Sequence, residues 1–130
     1  MPPGYKQLDT WQQGMTLVER VYDVTSAFPA AERYGLTSQI RRAAVSIPAN
    51  IAEGFCRRGT KAYAHHVSIA LGSHGELETC LELAVRLQFL RAADAERFDE
   101  MLASVGRLLS GLHRSLKDKI NATDRKAPGG

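Results

Sequence analysis

The chain has little cysteine, few aromatics and no long apolar run, and each shortage closes off a class of function. Only Cys56 and Cys80 are cysteines among its 130 residues. They lie far apart and form no CxxC pair, so they supply neither a zinc ribbon nor a dithiol redox centre. Both are read as small apolar packing residues in a reducing compartment, where a disulfide is not expected. No stretch approaches the roughly 18 uninterrupted apolar residues of a membrane-spanning helix. The opening MPPGYKQLDTWQQG lacks the charged-then-apolar layout of a secretory signal, which makes the cytoplasm the expected location. Gly54 and Gly59 are not followed by the Lys-Ser/Thr helix start of a phosphate-binding loop. His65, His66, His74 and His113 include no pair three or four residues apart, the spacing that a helical metal site uses. Glu76, Glu78 and Glu82 cluster without a recognisable nucleophile or base beside them. No catalytic residue, metal or cofactor is expected.

What is present is helical periodicity. No window alternates apolar and polar residues between turn signals, so no sheet is expected. The hydrophobic fraction of 44% and charged fraction of 24% are ordinary for a globular chain, and the length suits one domain over residues 1–120. The first helix is predicted from Trp11 to about Phe28, capped by Asp9 or Thr10, with Trp11, Met15, Val18, Val21, Tyr22 and Thr25 inward. Pro29 ends it. The third runs from Lys61 to about Leu87 behind a Thr60 cap. Its seam of Tyr63, Val67, Ala70, His74, Leu77, Leu81 and Ala84 alternates steps of four and three. The fourth runs from Ala93 or Asp94 to Lys117, with Phe98, Met101, Leu102, Val105, Leu108, Leu109, Leu112 and Leu116 on its apolar face. Residues 121–130, polar and ending in Pro and Gly, are expected to be a disordered tail. Short linkers between four long helices predict an all-α, antiparallel up-down four-helix bundle.

The second helix, Leu36 to Arg57, carries the most information. Leu36, Ile40, Ala44, Ile47, Ile51 and Phe55 form one apolar face at helical steps. Val45, Ala49, Ala52 and Cys56 form another. Gln39, Arg42, Ser46, Asn50, Glu53 and Arg57 make a narrow polar stripe between them. A helix on the outside of a monomer needs one apolar stripe, so the second face calls for another neighbour. Val45, Ala49 and Ala52 are the interface candidates, the alanines permitting close approach. Pro48 lacks an N–H and crowds the carbonyl of Ala44; a kink is expected rather than a break, because the stripes stay in phase across it.

With these helices placed, YGLTSQIRRAAVSIPANIAEGF from Tyr34 and IALGSHGELETCLELAVRL from Ile69 resemble the two recurrent segments of a known family. It is the family of four-helix-bundle proteins named for the 23S rRNA intervening sequence. The run YKQLDTWQQGMTLVERVY from Tyr5 also resembles that family's first helix, so the likeness spans about Tyr5 to Lys119. The resemblance implies an up-down bundle that assembles as a ring-like homopentamer, without enzymatic activity. A related branch, the accessory variability proteins of diversity-generating retroelements, binds a reverse transcriptase and nucleic acid. His74 and Gly75 depart from the family's usual apolar residue and Ala, and Gly75 within a helix costs about 1 kcal/mol relative to Ala.

Two functional surfaces follow. In the polar stripe, Arg42, Asn50 and Glu53 are assigned a structural role. Arg42 and Glu53 are expected to pair with charges on neighbouring helices, Glu76 and Glu78 being the candidates, and a carboxylate at Glu53 would repel phosphate. His74 is read as a core or interface histidine satisfied by a hydrogen bond, in preference to one in a ring around a symmetry axis. The basic residues are unevenly placed: six lie between Gly106 and the C-terminus against Asp118 and Asp124. Arg57, Arg58 and Lys61, with Arg114 and Lys117, are the candidate contacts to nucleic-acid phosphates. The expected function is a non-enzymatic, self-assembling scaffold or adaptor with a protein partner. The alternative is RNA or DNA binding through basic groups repeated around the oligomer. No membrane association is expected.

Overall fold

Pro48 lies inside one unbroken helix, Leu36–Cys56, so the segment that the proline threatened to divide stays whole. The computed structural model describes residues 4–126, which hold four long helices and, among those residues, no strand. These are α1 (Asp9–Thr25), α2 (Leu36–Cys56), α3 (Thr60–Arg86) and α4 (Ala92–Lys126), with short 3-10 turns at Gly4–Gln7 and Ala30–Glu32. Each helix packs on its neighbours in sequence, and α1 closes against α4. Four helices joined by short turns in this order form an antiparallel up-down bundle.

The boundaries follow local chemistry. Neither Asp9 nor Thr10 caps α1: Leu8 is the capping residue, without a side-chain bond, and both polar residues lie inside the first turn. Asp9 there still meets the positive end of the helix dipole. Likewise Gly59, at φ 102°, precedes α3, and Thr60 is its first helical residue. The left-handed φ suits a glycine. The helix α1 stops at Thr25 rather than Phe28. Thr25 Oγ1 donates back to the Val21 carbonyl at 2.7 Å and accepts from Arg41 Nε at 2.8 Å. The chain then turns so that Phe28 is buried against Phe89, with ring centroids 5.9 Å apart. After α3, Gln88 takes φ 65° while Phe89 N–H donates to the Ala84 carbonyl at 2.9 Å. That six-residue closure satisfies the helix end, and buried Leu90 seals it.

The helix α4 outlasts its expected end at Lys117. It continues to Lys126, so residues 121–126 are helical where a disordered tail was expected. Asn121, Ala122 and Thr123 carry no helix breaker, and Ile120 packs against the core. Residues 127–130 of that expected tail lie outside the described residues.

The core runs the length of the bundle. Leu17, Val21, Ile40, Ile47, Ile51, Val67, Leu77, Val105 and Leu109 are fully buried, each side chain gaining about 1.5–3 kcal/mol from leaving water. The seams predicted for α3 and α4 hold, with Tyr63 and His74 of α3 and Met101, Leu108 and Leu112 of α4 half-buried at their edges. The face of α1 is rotated from its prediction. Thr10, Gly14, Leu17, Val21 and Thr25 are buried, whereas Met15 and Tyr22 are exposed. A Cβ on Gly14 would stand 3.5 Å from Pro48 Cβ and 3.6 Å from Ile47 Cγ2. The small residues of α1 thus face α2, and its larger apolar residues lie to one side. Phe55 also leaves the core face of α2. It is 41% exposed, lies beside Gly4 and meets Tyr5 and Tyr63 edge-on.

Candidate assembly surface and basic groove

The polar stripe of α2 faces α3 and is tied to it by a relay of hydrogen bonds. Ser46 and Ser73 share a hydroxyl–hydroxyl bond of 2.7 Å. Asn50 Nδ2 donates to Ser46 Oγ at 3.0 Å and to the Ser46 carbonyl at 2.9 Å. With its amide nitrogen so used, Asn50 Oδ1 accepts from His66 Nδ1 at 3.0 Å. Half-buried polar groups joined in this way are satisfied and specify the α2–α3 register. Asn50 is thus tied to Ser46 on its own helix and to His66 on α3, a neighbour that spacing on α2 alone does not reveal.

The two charged members of the stripe behave differently from expectation. Glu53 pairs within its own helix, with Arg57 Nη2 at 2.9 Å, and His66 Nδ1 lies 3.9 Å from its other oxygen. The hydrogen bond from Arg57, helped by His66, lowers the Glu53 pKa from its ordinary value. A depressed carboxylate favours the fold above its unfolded pKa and loses that contribution as pH falls through the folded one. Arg42 forms no ion pair with Glu76 or Glu78. It lines a groove of about 540 Å³ with Glu76, while Gln39 Nε2 donates to Glu76 Oε1 at 3.4 Å. Glu78 instead approaches His74 Nδ1 at 3.4 Å. The nearest charged partners of Glu53 and Glu78 are thus i,i+4 neighbours on their own helices, Arg57 and His74, while His66 is the one group reaching Glu53 from α3.

His74 is held between α3 and α4. Its Nε2 donates to the Leu102 carbonyl at 2.7 Å, and its ring fills the space that a side chain at Gly106 would need. This is the satisfied histidine that was favoured, and among the described residues no group of three metal-ligating side chains gathers. Cys80 is buried and free, as a packing residue should be, and burial pushes its thiol pKa up. Cys56 is free but exposed, because it belongs to the outward line of α2 and not to the core.

That outward line is the second apolar face. Val45 is 41% exposed, Ala49 and Cys56 are exposed, and Ala52 is half-buried. Opposite them Ile40, Ile47 and Ile51 are fully buried. The helix thus uses one apolar face for the bundle, and among the described residues the other is left largely exposed.

Of the five basic candidates, the structure brings two together. Lys61, at the start of α3, and Lys117, late in α4, line one groove of about 300 Å³ with His65, Ser68 and His113. Arg57 is committed to Glu53. Arg58, in the connection between α2 and α3, and Arg114, on α4, are exposed and do not line the groove. His65 and His113 were passed over because they form no metal pair. The signal that could have found them is their spacing: His65 follows Lys61 by four residues, and His113 precedes Lys117 by four. On antiparallel helices these two i,i+4 pairs face one another.

The family model for the 23S rRNA-intervening sequence protein matches residues 6–111. The chain belongs to that family. The match takes in α1, α2 and α3 whole and α4 as far as residue 111. A solved member of the S23 ribosomal protein family from Bacteroides thetaiotaomicron, of unknown function, has the same fold with a TM-score of 0.74. It is 21% identical, and the match covers 81% of this chain and 95% of that one. No curated protein matches. For an intervening-sequence family member, the bundle architecture is therefore shared, and no helix among the described residues is long and apolar enough to cross a membrane.

Proposed function

We propose that the protein is a non-catalytic helical-bundle scaffold or adaptor that self-assembles through the outward face of α2. The observation that carries this reading is Val45, 41% exposed in line with Ala49, Ala52 and Cys56, on a helix whose other apolar face is already buried. Small side chains there let a neighbouring backbone approach, which raises packing contact for little lost rotamer freedom. The family resemblance supports five copies. Size-exclusion chromatography with light scattering is expected to give one species near five times the 14.3 kDa chain mass. A monomer across the micromolar range removes the reading.

A second reading, RNA or DNA binding, draws support from the groove that Lys61 and Lys117 share with His65 and His113. Two lysines from facing helices can hold successive phosphates, and repetition around an oligomer would sum weak contacts. Purified protein is expected to bind single-stranded RNA at low salt and to lose it steeply as salt rises. Lys61→Glu with Lys117→Glu should abolish binding, whereas Arg57→Glu should weaken it less, since Glu53 already neutralises Arg57. Absence of binding at low salt removes this second reading and leaves the first untouched.

A further inference from the structure

The groove of about 540 Å³ between α2 and α3 falls within the size range of small-molecule sites. Arg42 and Glu76 line it from opposite helices. Among the described residues Arg42 makes no ion pair, and Glu76 accepts only the neutral Gln39 amide. The groove therefore presents one cation and one anion, and neither is neutralised by a partner charge. Two further charges of opposite sign stand at its mouth. Glu32 Oε2 lies 3.3 Å from where a side chain on Gly35 would begin, and the Arg33 guanidinium lies 5.5 Å from the Tyr34 ring centroid.

The hydrogen-bond relay behind the groove ends in an unused donor. His66 Nδ1 donates to Asn50 Oδ1, and Asn50 Nδ2 donates to Ser46 Oγ. Ser46 and Ser73 then share a single bond, which takes only one of the two hydroxyl protons. If Ser46 donates, the Ser73 proton is left over; if Ser73 donates, the Ser46 proton is. Every member of the relay has a partner, yet one proton does not. Neither hydroxyl has another acceptor among the described residues, and both line the groove. Ser73 is only 9% exposed, and a donor held away from water without an acceptor costs free energy. An acceptor in the groove would satisfy it.

These groups discriminate between ligands. A lone anion would meet Arg42 and the serine hydroxyl but be repelled by Glu76, and a lone cation would meet the reverse. A molecule that carries both charges satisfies both walls. We propose that this groove binds a small zwitterion of the α-amino acid class, its carboxylate held by Arg42 and the free serine hydroxyl and its ammonium by Glu76. Arginine suits the first role because its planar fork matches a carboxylate. The Tyr34 ring, 88% exposed where it lines the groove, offers an apolar face to the ligand's side chain and favours an aromatic one. The site lies within one chain, so its test is independent of self-assembly and of the groove that holds Lys61 and Lys117.

The test is isothermal titration calorimetry of the full-length protein with L-phenylalanine, for which saturable binding at millimolar ligand is expected. N-acetyl-L-phenylalanine keeps the carboxylate but not the ammonium, and L-phenylalaninamide keeps the ammonium but not the carboxylate. Each analogue should bind more weakly by about tenfold or more. Arg42→Gln and Glu76→Gln, both at exposed positions, should weaken L-phenylalanine by a similar factor, with circular dichroism to verify the helices. No saturable binding of L-phenylalanine overturns the proposal. Equal binding of either analogue also overturns it, because only one charge would then be read. Wild-type affinity in both folded variants places the ligand elsewhere and overturns the assignment. The analogues probe the unaltered chain, so the proposal stays open to refutation even if a variant fails to fold.

Discussion

Ile47→Ala is expected to destabilise the bundle by about 2–5 kcal/mol, the range for emptying a fully buried aliphatic site. Ile47 is wholly inaccessible, and its Cγ2 lies over Gly14 of α1. The cost should fall in the upper part of that range, because Gly14 has no side chain to relax into the hole. The same residue sits on α2, which packs on both α1 and α3, so its loss loosens two seams. Urea unfolding at a fixed protein concentration measures the effect, the fixed concentration being needed because assembly adds to apparent stability. A loss below 1 kcal/mol would contradict the placement of the inward face of α2. Arg107→Ala, at an exposed position of α4 away from the outward face of α2, serves as the control and should change stability by less than about 0.5 kcal/mol.

Gly54→Val should cost about 1–3 kcal/mol through overpacking, and more if the last turn of α2 is pushed off α3. A Cβ at Gly54 would stand 2.8 Å from His66 Cβ and 3.2 Å from the Tyr63 carbonyl oxygen. Neither is the free end of a flexible side chain, so the helices themselves must separate. Even Gly54→Ala is expected to destabilise, although alanine is the better helix former. Gly75→Ala gives the contrasting case. Nothing lies within 4 Å of a Cβ there, and the substitution should return about 1 kcal/mol of helix propensity. Thermal unfolding of the two variants side by side checks the pair. A stabilised Gly54→Ala would show that α2 and α3 do not approach as closely as described.

The four helices, the seam of α3 and the inward face of α2 were legible because their apolar residues are large and regularly spaced. The face of α1 was not. Its buried line includes Thr10 and Gly14, residues that carry little apolar signal and are inward because Pro48 and Ile47 come so close. Trp11, Met15 and Tyr22 drew the predicted face toward themselves, although two of the three are exposed. The tail was misread from composition: polar residues around Asn121 are compatible with continuing a helix already anchored by Ile120.

The candidate sites were partly legible. The outward line of Val45, Ala49 and Ala52 could be read from helical phase alone, since it needed no partner to define it. The Ser46–Asn50–His66 relay could not, because it depends on the register between α2 and α3. For the same reason Lys61 and Lys117 emerged as groove neighbours, while Arg57 turned to Glu53. Which basic residues share a groove is decided by how far α4 extends beside the start of α3.

The central claim, that the outward face of α2 is an assembly surface, is tested most directly by the solution mass of Ala49→Arg. The position is exposed, and arginine is a good helix former, so the bundle should keep its helical content. Sedimentation velocity is predicted to show one chain mass for Ala49→Arg beside an oligomeric wild type. A variant that sediments at the wild-type mass with its helices intact would contradict the claim.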